Sequence, residues 1–84
     1  MKLPRDVSGE DLAHRLARLG YAVTRQTGSH LRLTRRAGSD EHHLTIPRHS
    51  SLRIGTLANI LRDVAEQVEM SRDELLEKLF GAGR

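Results

Sequence analysis

The sequence predicts an α+β fold of order α-β-β-β-α, with a short extra helix at the C-terminal end. Three observations predict it. Apolar residues recur at helical spacing over residues 9–19 and 55–68. Between them, residues 21–27, 30–36 and 42–47 alternate apolar and polar side chains instead. The links joining those runs, "TGS" and "AGSDE", are short and contain glycine, as hairpin turns do. All 84 residues are read as one domain.

The first helix is signposted at both ends. Ser8 can cap it, and Glu10 and Asp11 follow in the first turn, where the helix dipole favours anions. Val7 and Leu12 can staple across the cap. Leu12, Leu16 and Leu19 repeat at helical spacing with Ala13 beside them, and Gly20 supplies the stop. The second helix carries a broad apolar stripe of Leu57, Ala58, Leu61, Val64, Ala65 and Val68. The last helix, residues 72–80, opens from the capping box "SRDE", with Ser71 as cap and Glu74 reaching back.

The three strands form an antiparallel meander with one dry and one wet face. Tyr21 and Val23, Leu31 and Leu33, and Leu44 and Ile46 are expected on the dry face. The helices must cover that face to make one core. The wet face is expected to present Thr24, Gln26, His30, Arg32, Thr34, His43 and Thr45, with no acid among them.

Charge is distributed unevenly. The net charge is +3, but residues 1–50 carry nine Lys/Arg against five Asp/Glu, and residues 51–84 five against six. Six arginines and no acid lie between Leu12 and Ser39. A one-sided basic surface is the footprint of a phosphate-bearing partner. There is no cysteine, which rules out disulfide and cysteine–zinc frameworks. No stretch approaches the roughly 18 apolar residues of a membrane span, and "MKLPRDVSGEDL" lacks the apolar run of a secretory signal. A cytoplasmic protein without membrane association is expected.

RNA cleavage fits this surface. The 2′-hydroxyl is a nucleophile already in place, so no metal is required. The reaction needs a group to take the 2′-proton, one to protonate the leaving 5′-oxygen, and cations beside the phosphorane. Histidine suits the proton transfers and arginine the charge. His30, beside Arg32 and after "GS", matches that description. His43 shares its face and could assist, and His49, after "IPR", could support the site. His42 points to the other face, and His14 is expected at the surface. No cofactor or metal site is expected, because no carboxylate or cysteine stands at ligand spacing from these histidines. Ser29 next to His30 is not expected to be a nucleophile, since adjacent strand side chains diverge.

The motifs together are familiar. A helix ending in "LGY", then "GSHLRL", then "TIPRHSSLRIGTLANIL", then "SRDELLEKL" resembles the HicA (YcfA-like) toxin family of toxin–antitoxin pairs, over nearly the whole chain and in the same order. The resemblance implies a fold like double-stranded-RNA-binding domains and an mRNA endonuclease activity. From the charge pattern, Arg25, Arg32, Arg35 and Arg36 are expected to bind RNA phosphates; the resemblance implies that His30 is the catalytic residue, with Gly28 and Ser29 shaping its turn. It further implies a HicB-like antitoxin that covers the active surface and supplies any specific DNA binding. Two readings compete with it. One is a non-catalytic RNA-binding module of the same fold, since fold alone does not settle function. The other is a protein whose polar sheet face only docks a partner chain.

Overall fold

Ser8 begins the fold. In this computed structural model, which describes residues 2–81, Ser8 Oγ accepts the Asp11 N–H at 2.9 Å and opens α1 (Gly9–Leu16). A 3₁₀ turn, Ala17–Leu19, tightens the end of the helix. Gly20 then takes the left-handed conformation, φ 94°, that favours a residue without Cβ. The chain turns directly into β1 (Tyr21–Gln26), followed by β2 (His30–Ala37) and β3 (Asp40–Pro47). They pair in the order β1-β2-β3, antiparallel throughout.

The β2–β3 register is regular, with His30 opposite Pro47, Arg32 opposite Thr45, Thr34 opposite His43 and Arg36 opposite Glu41. Strand β3 starts at Asp40, two residues before the expected start, and the turn shrinks to Gly38 and Ser39. As a result Glu41 falls on the wet face, and the expectation of an acid-free surface is wrong.

Strand β1 departs from simple alternation. Val23 pairs with Leu33, but Arg25 pairs with Arg32 and Gln26 with Leu31, so a β-bulge at Thr24 interrupts the ladder. The extra residue reverses the pleat beyond it. Gln26, expected on the wet face, is therefore turned to the helical side, where it lines a groove with His14 of α1 and Ala17 of the 3₁₀ turn. Arg25 comes onto the wet face instead.

The second helix, α2 (Ile54–Val68), and the short α3 (Arg72–Leu76) complete the order, and a π-helical turn, Glu77–Gly81, follows α3. The capping box at α3 is formed as expected: Ser71 Oγ accepts from Glu74 N at 3.1 Å, and Ser71 N donates to Glu74 Oε1 at 2.9 Å. Leu12 and Leu16 of α1, Leu31, Leu33 and Ile46 of the sheet, Leu57 and Val64 of α2, and Leu75, Leu76 and Leu79 share one buried core. Each buried Leu contributes about 1.5–3 kcal/mol relative to exposure. Every helix contributes to that core, so the apolar burial lies on one face of the sheet. This is the α-β-β-β-α, double-stranded-RNA-binding-domain-like arrangement. Val23 lies at the sheet edge and stays 45% exposed. No described helix is long and apolar enough to cross a membrane.

Half of the basic run serves the fold. Arg15 pairs with Asp11 at 3.1 Å, donates to the Leu79 carbonyl at 2.8 Å, and lies 4.7 Å from the centre of the Phe80 ring. Arg18 donates to the same carbonyl at 3.1 Å. Together they satisfy carbonyls of the turn Glu77–Gly81, where a helix end otherwise leaves them unpaired. Arg35 Nε donates to the Leu19 carbonyl at 2.8 Å.

Candidate functional site

The uncovered face of the sheet is a ladder of cross-strand rungs. His30 stands opposite Pro47; next come Arg25, Arg32 and Thr45; then Ala22, Thr34 and His43; then Arg36 and Glu41. Successive rungs are two residues apart, or about 7 Å.

His30 is exposed and stands at the end of the ladder, where the turn Thr27-Gly28-Ser29 feeds β2. Thr27 builds that turn. Its N–H donates to the His30 carbonyl at 2.9 Å, and its Oγ1 accepts the His30 N–H at 3.0 Å. Ser29 Oγ lies 2.9 Å from His30 Nδ1. A hydroxyl can accept from Nδ1–H or donate to bare Nδ1, so it holds the ring in either tautomer. Nε2 makes no hydrogen bond to any described residue and faces water. Gly28 has open space around it and no left-handed φ, so the backbone does not need a glycine there.

The turn is braced by Arg48, which the sequence reading passed over. Its backbone N–H donates to the Ser29 carbonyl at 2.8 Å. Its guanidinium donates to the Thr27 carbonyl at 2.9 Å and to Glu10 Oε2 at 2.6 Å. One side chain thus ties β3, α1 and the His30 turn together. Gly9 makes this approach close: a Cβ there would overlap the Pro47 carbonyl, and the Gly9 N–H donates to the His49 carbonyl at 3.0 Å.

The other histidines differ from His30 in their free nitrogens. His43 shares the wet face, but Nδ1 lies 2.9 Å from Thr34 Oγ1 and Nε2 lies 3.4 Å from Glu41 Oε1. Thr34 in turn meets Thr24 Oγ1 at 2.8 Å, which explains how a polar residue is buried at the middle of the face. His43 stands opposite Thr34, four residues from His30 along β2, or about 13 Å. It cannot reach a group held at His30. The Glu41 carboxyl is kept below the usual carboxylate range by the hydrogen bond from Arg36 and by that cation's charge, with His43 adding to both effects. His42 lies on the helical side, between the Tyr21 hydroxyl (2.8 Å from Nδ1) and Asp63 Oδ1 (3.1 Å from Nε2). His49 and His14 are exposed, and neither ring makes a hydrogen bond to a described residue.

Of the four arginines singled out for phosphate, Arg25 and Arg32 stand on the His30 face without an ionic partner among the described residues. Arg36 is on that face but paired with Glu41 at 2.7 Å. Arg35 is opposite Tyr21 and His42, on the helical side, and does not join the site. Among the described residues, no group of three His, Cys, Asp or Glu side chains could hold a metal ion.

A model of the family described as HicA toxin of bacterial toxin–antitoxin matches residues 9–65, from the start of α1 into the last turn of α2. No curated protein and no solved structure matches the chain.

Proposed function

Because the chain belongs to the HicA toxin family, the toxin of a bacterial toxin–antitoxin pair, we propose that it is an endoribonuclease that cleaves mRNA at His30. The observation that supports this reading is the state of that ring: fixed at Nδ1 by Ser29, open at Nε2, and next to two guanidinium groups without acids.

His30 Nε2 takes the proton from a ribose 2′-hydroxyl. The 2′-oxygen attacks phosphorus, the bond from phosphorus to the 5′-oxygen breaks, and the products are a 2′,3′-cyclic phosphate and a 5′-hydroxyl. The 5′-oxygen receives its proton from the imidazolium just formed or from water, both of which an exposed site supplies. Arg25 and Arg32, one rung from His30, attract the polyanionic chain to this face. Positioned acid–base catalysis of this kind contributes about 10²–10⁴-fold. The toxin's partner is a HicB-like antitoxin that lies over the same face and blocks it.

The test is inducible expression of wild type and His30→Ala, with growth and total RNA followed together. Growth arrest and RNA cleavage should disappear in the variant while its melting curve stays unchanged. Undiminished cleavage by His30→Ala would remove the proposed mechanism. RNA that is bound but left uncut by the wild type would favour a binding module instead.

A further inference from the structure

Arg25 and Arg32 are cross-strand partners, which sets their Cβ atoms about 5 Å apart. Like charges directly opposite one another weaken a sheet. Five other arginines find an oxygen: Arg15 has Asp11, Arg18 has Leu79, Arg35 has Leu19, Arg36 has Glu41 and Arg48 has Glu10. The side chains of Arg25 and Arg32 meet none among the described residues. Moreover, the pair exists only because of the bulge at Thr24. With a regular ladder, Arg25 would turn to the helical side. A distortion of the strand thus creates an arrangement that costs stability. An anion held between the two forks relieves it, and guanidinium groups match phosphate in geometry as well as charge.

We infer that Arg25 and Arg32 clamp the phosphate next in line to the one cleaved at His30, so that the substrate is a single RNA strand lying along β2. This rests on the nuclease reading above and adds the substrate's form and register to it. Arg32 is one rung from His30, about 7 Å along the strand, close to the step between neighbouring phosphates of an extended chain. The three-stranded strip is about 10 Å wide, two spacings of about 4.8 Å, which suits one chain better than a duplex. The chemistry agrees: attack by the 2′-oxygen needs it in line with phosphorus and the 5′-oxygen. A-form pairing holds the backbone away from that geometry, and an unpaired chain can rotate into it. The smallest good substrate therefore carries two consecutive phosphodiesters.

The experiment uses DNA oligonucleotides with one ribonucleotide, so that a single linkage can be cut. A neutral methylphosphonate replaces one phosphodiester at a time on either side. For the wild type, the replacement one step away on one side should slow cleavage about tenfold or more, the loss of one charge-assisted contact. The double variant Arg25→Gln/Arg32→Gln should cut slowly and be indifferent to that replacement. Its melting temperature should be no lower than that of the wild type, because like-charge repulsion has been removed. A wild type insensitive on both sides, or a variant that keeps the wild-type sensitivity, overturns the clamp and leaves the nuclease reading standing. The oligonucleotide sequence is taken from a transcript that the wild type cleaves; if the wild type cleaves no RNA, the nuclease reading fails and the clamp falls with it.

Discussion

The guanidinium of Arg48 donates to the Thr27 carbonyl at 2.9 Å, across 21 residues of chain, and so joins the end of β3 to the turn that carries His30. The same group holds Glu10 of α1 at 2.6 Å. The position of the imidazole is therefore set from three elements, and perturbing any one of them should reach it.

Arg48→Ala should lower stability by about 1–3 kcal/mol, the range for losing hydrogen bonds made by a charged group. It should also slow cleavage about tenfold or more, because small misplacements of a reacting group are costly. Arg48→Lys keeps a cation near Glu10 but not the fork that reaches Thr27 as well. Denaturant melts should show most of the stability restored by lysine, while initial rates recover less. Full recovery of both by lysine would confine Arg48 to charge pairing.

Ser29→Ala removes the hydroxyl at His30 Nδ1 and nothing else from the turn. An exposed hydrogen bond of this kind is worth about 0.5–1.5 kcal/mol, so kcat should fall about three- to tenfold with KM unchanged. An unaltered rate would mean that the hydroxyl does not orient the ring.

Two glycines should respond in opposite ways to alanine. At Gly9 the new methyl would overlap the Pro47 carbonyl, and overpacking of this kind costs about 1–3 kcal/mol. At Gly28 the methyl meets nothing, and alanine should stabilise by about 0.4–1 kcal/mol by restricting the unfolded chain. Thermal melts of the two variants decide this, and a large loss at Gly28 would show that its backbone freedom matters.

Burial pushes the Tyr21 hydroxyl up to about 12, with Arg35 opposing and Asp63 adding to the rise. A raised value means that the fold favours the neutral phenol. Its contribution is complete below the ordinary tyrosine value of about 10 and is lost as pH climbs from there through 12. The chain has one Tyr and no Trp, so tyrosinate absorbance reports this residue alone. Titration near the free-tyrosine value in a still-folded protein would contradict the buried setting.

Much of this was visible in the sequence, and what was not has physical reasons. The alternation in "HLRLTRR" sets His30 and Arg32 on one face because β2, the middle strand, keeps its own pleat regular. The edge strand carries no such guarantee. Nothing in "YAVTRQT" marks Thr24 as the extra residue, so the sides of Arg25 and Gln26 could not be read from it. Glu41 was missed because it precedes the apolar alternation that marks β3. Arg48 meets Glu10, 38 positions earlier, only once the chain folds back, a relationship beyond any local pattern. Arg35 sits in a run of cations, yet the pleat sends it to the Leu19 carbonyl.

The helices all lie on one side of the sheet, and this separates two kinds of selection. Substitutions on the leucine side are screened by whether the chain folds. On the proposed nuclease reading, those on the other side, Thr34 aside, would be screened by what the toxin cuts and which antitoxin restrains it. Targets and inhibitor would then change together through solvent-facing side chains, while the scaffold beneath them stays the same.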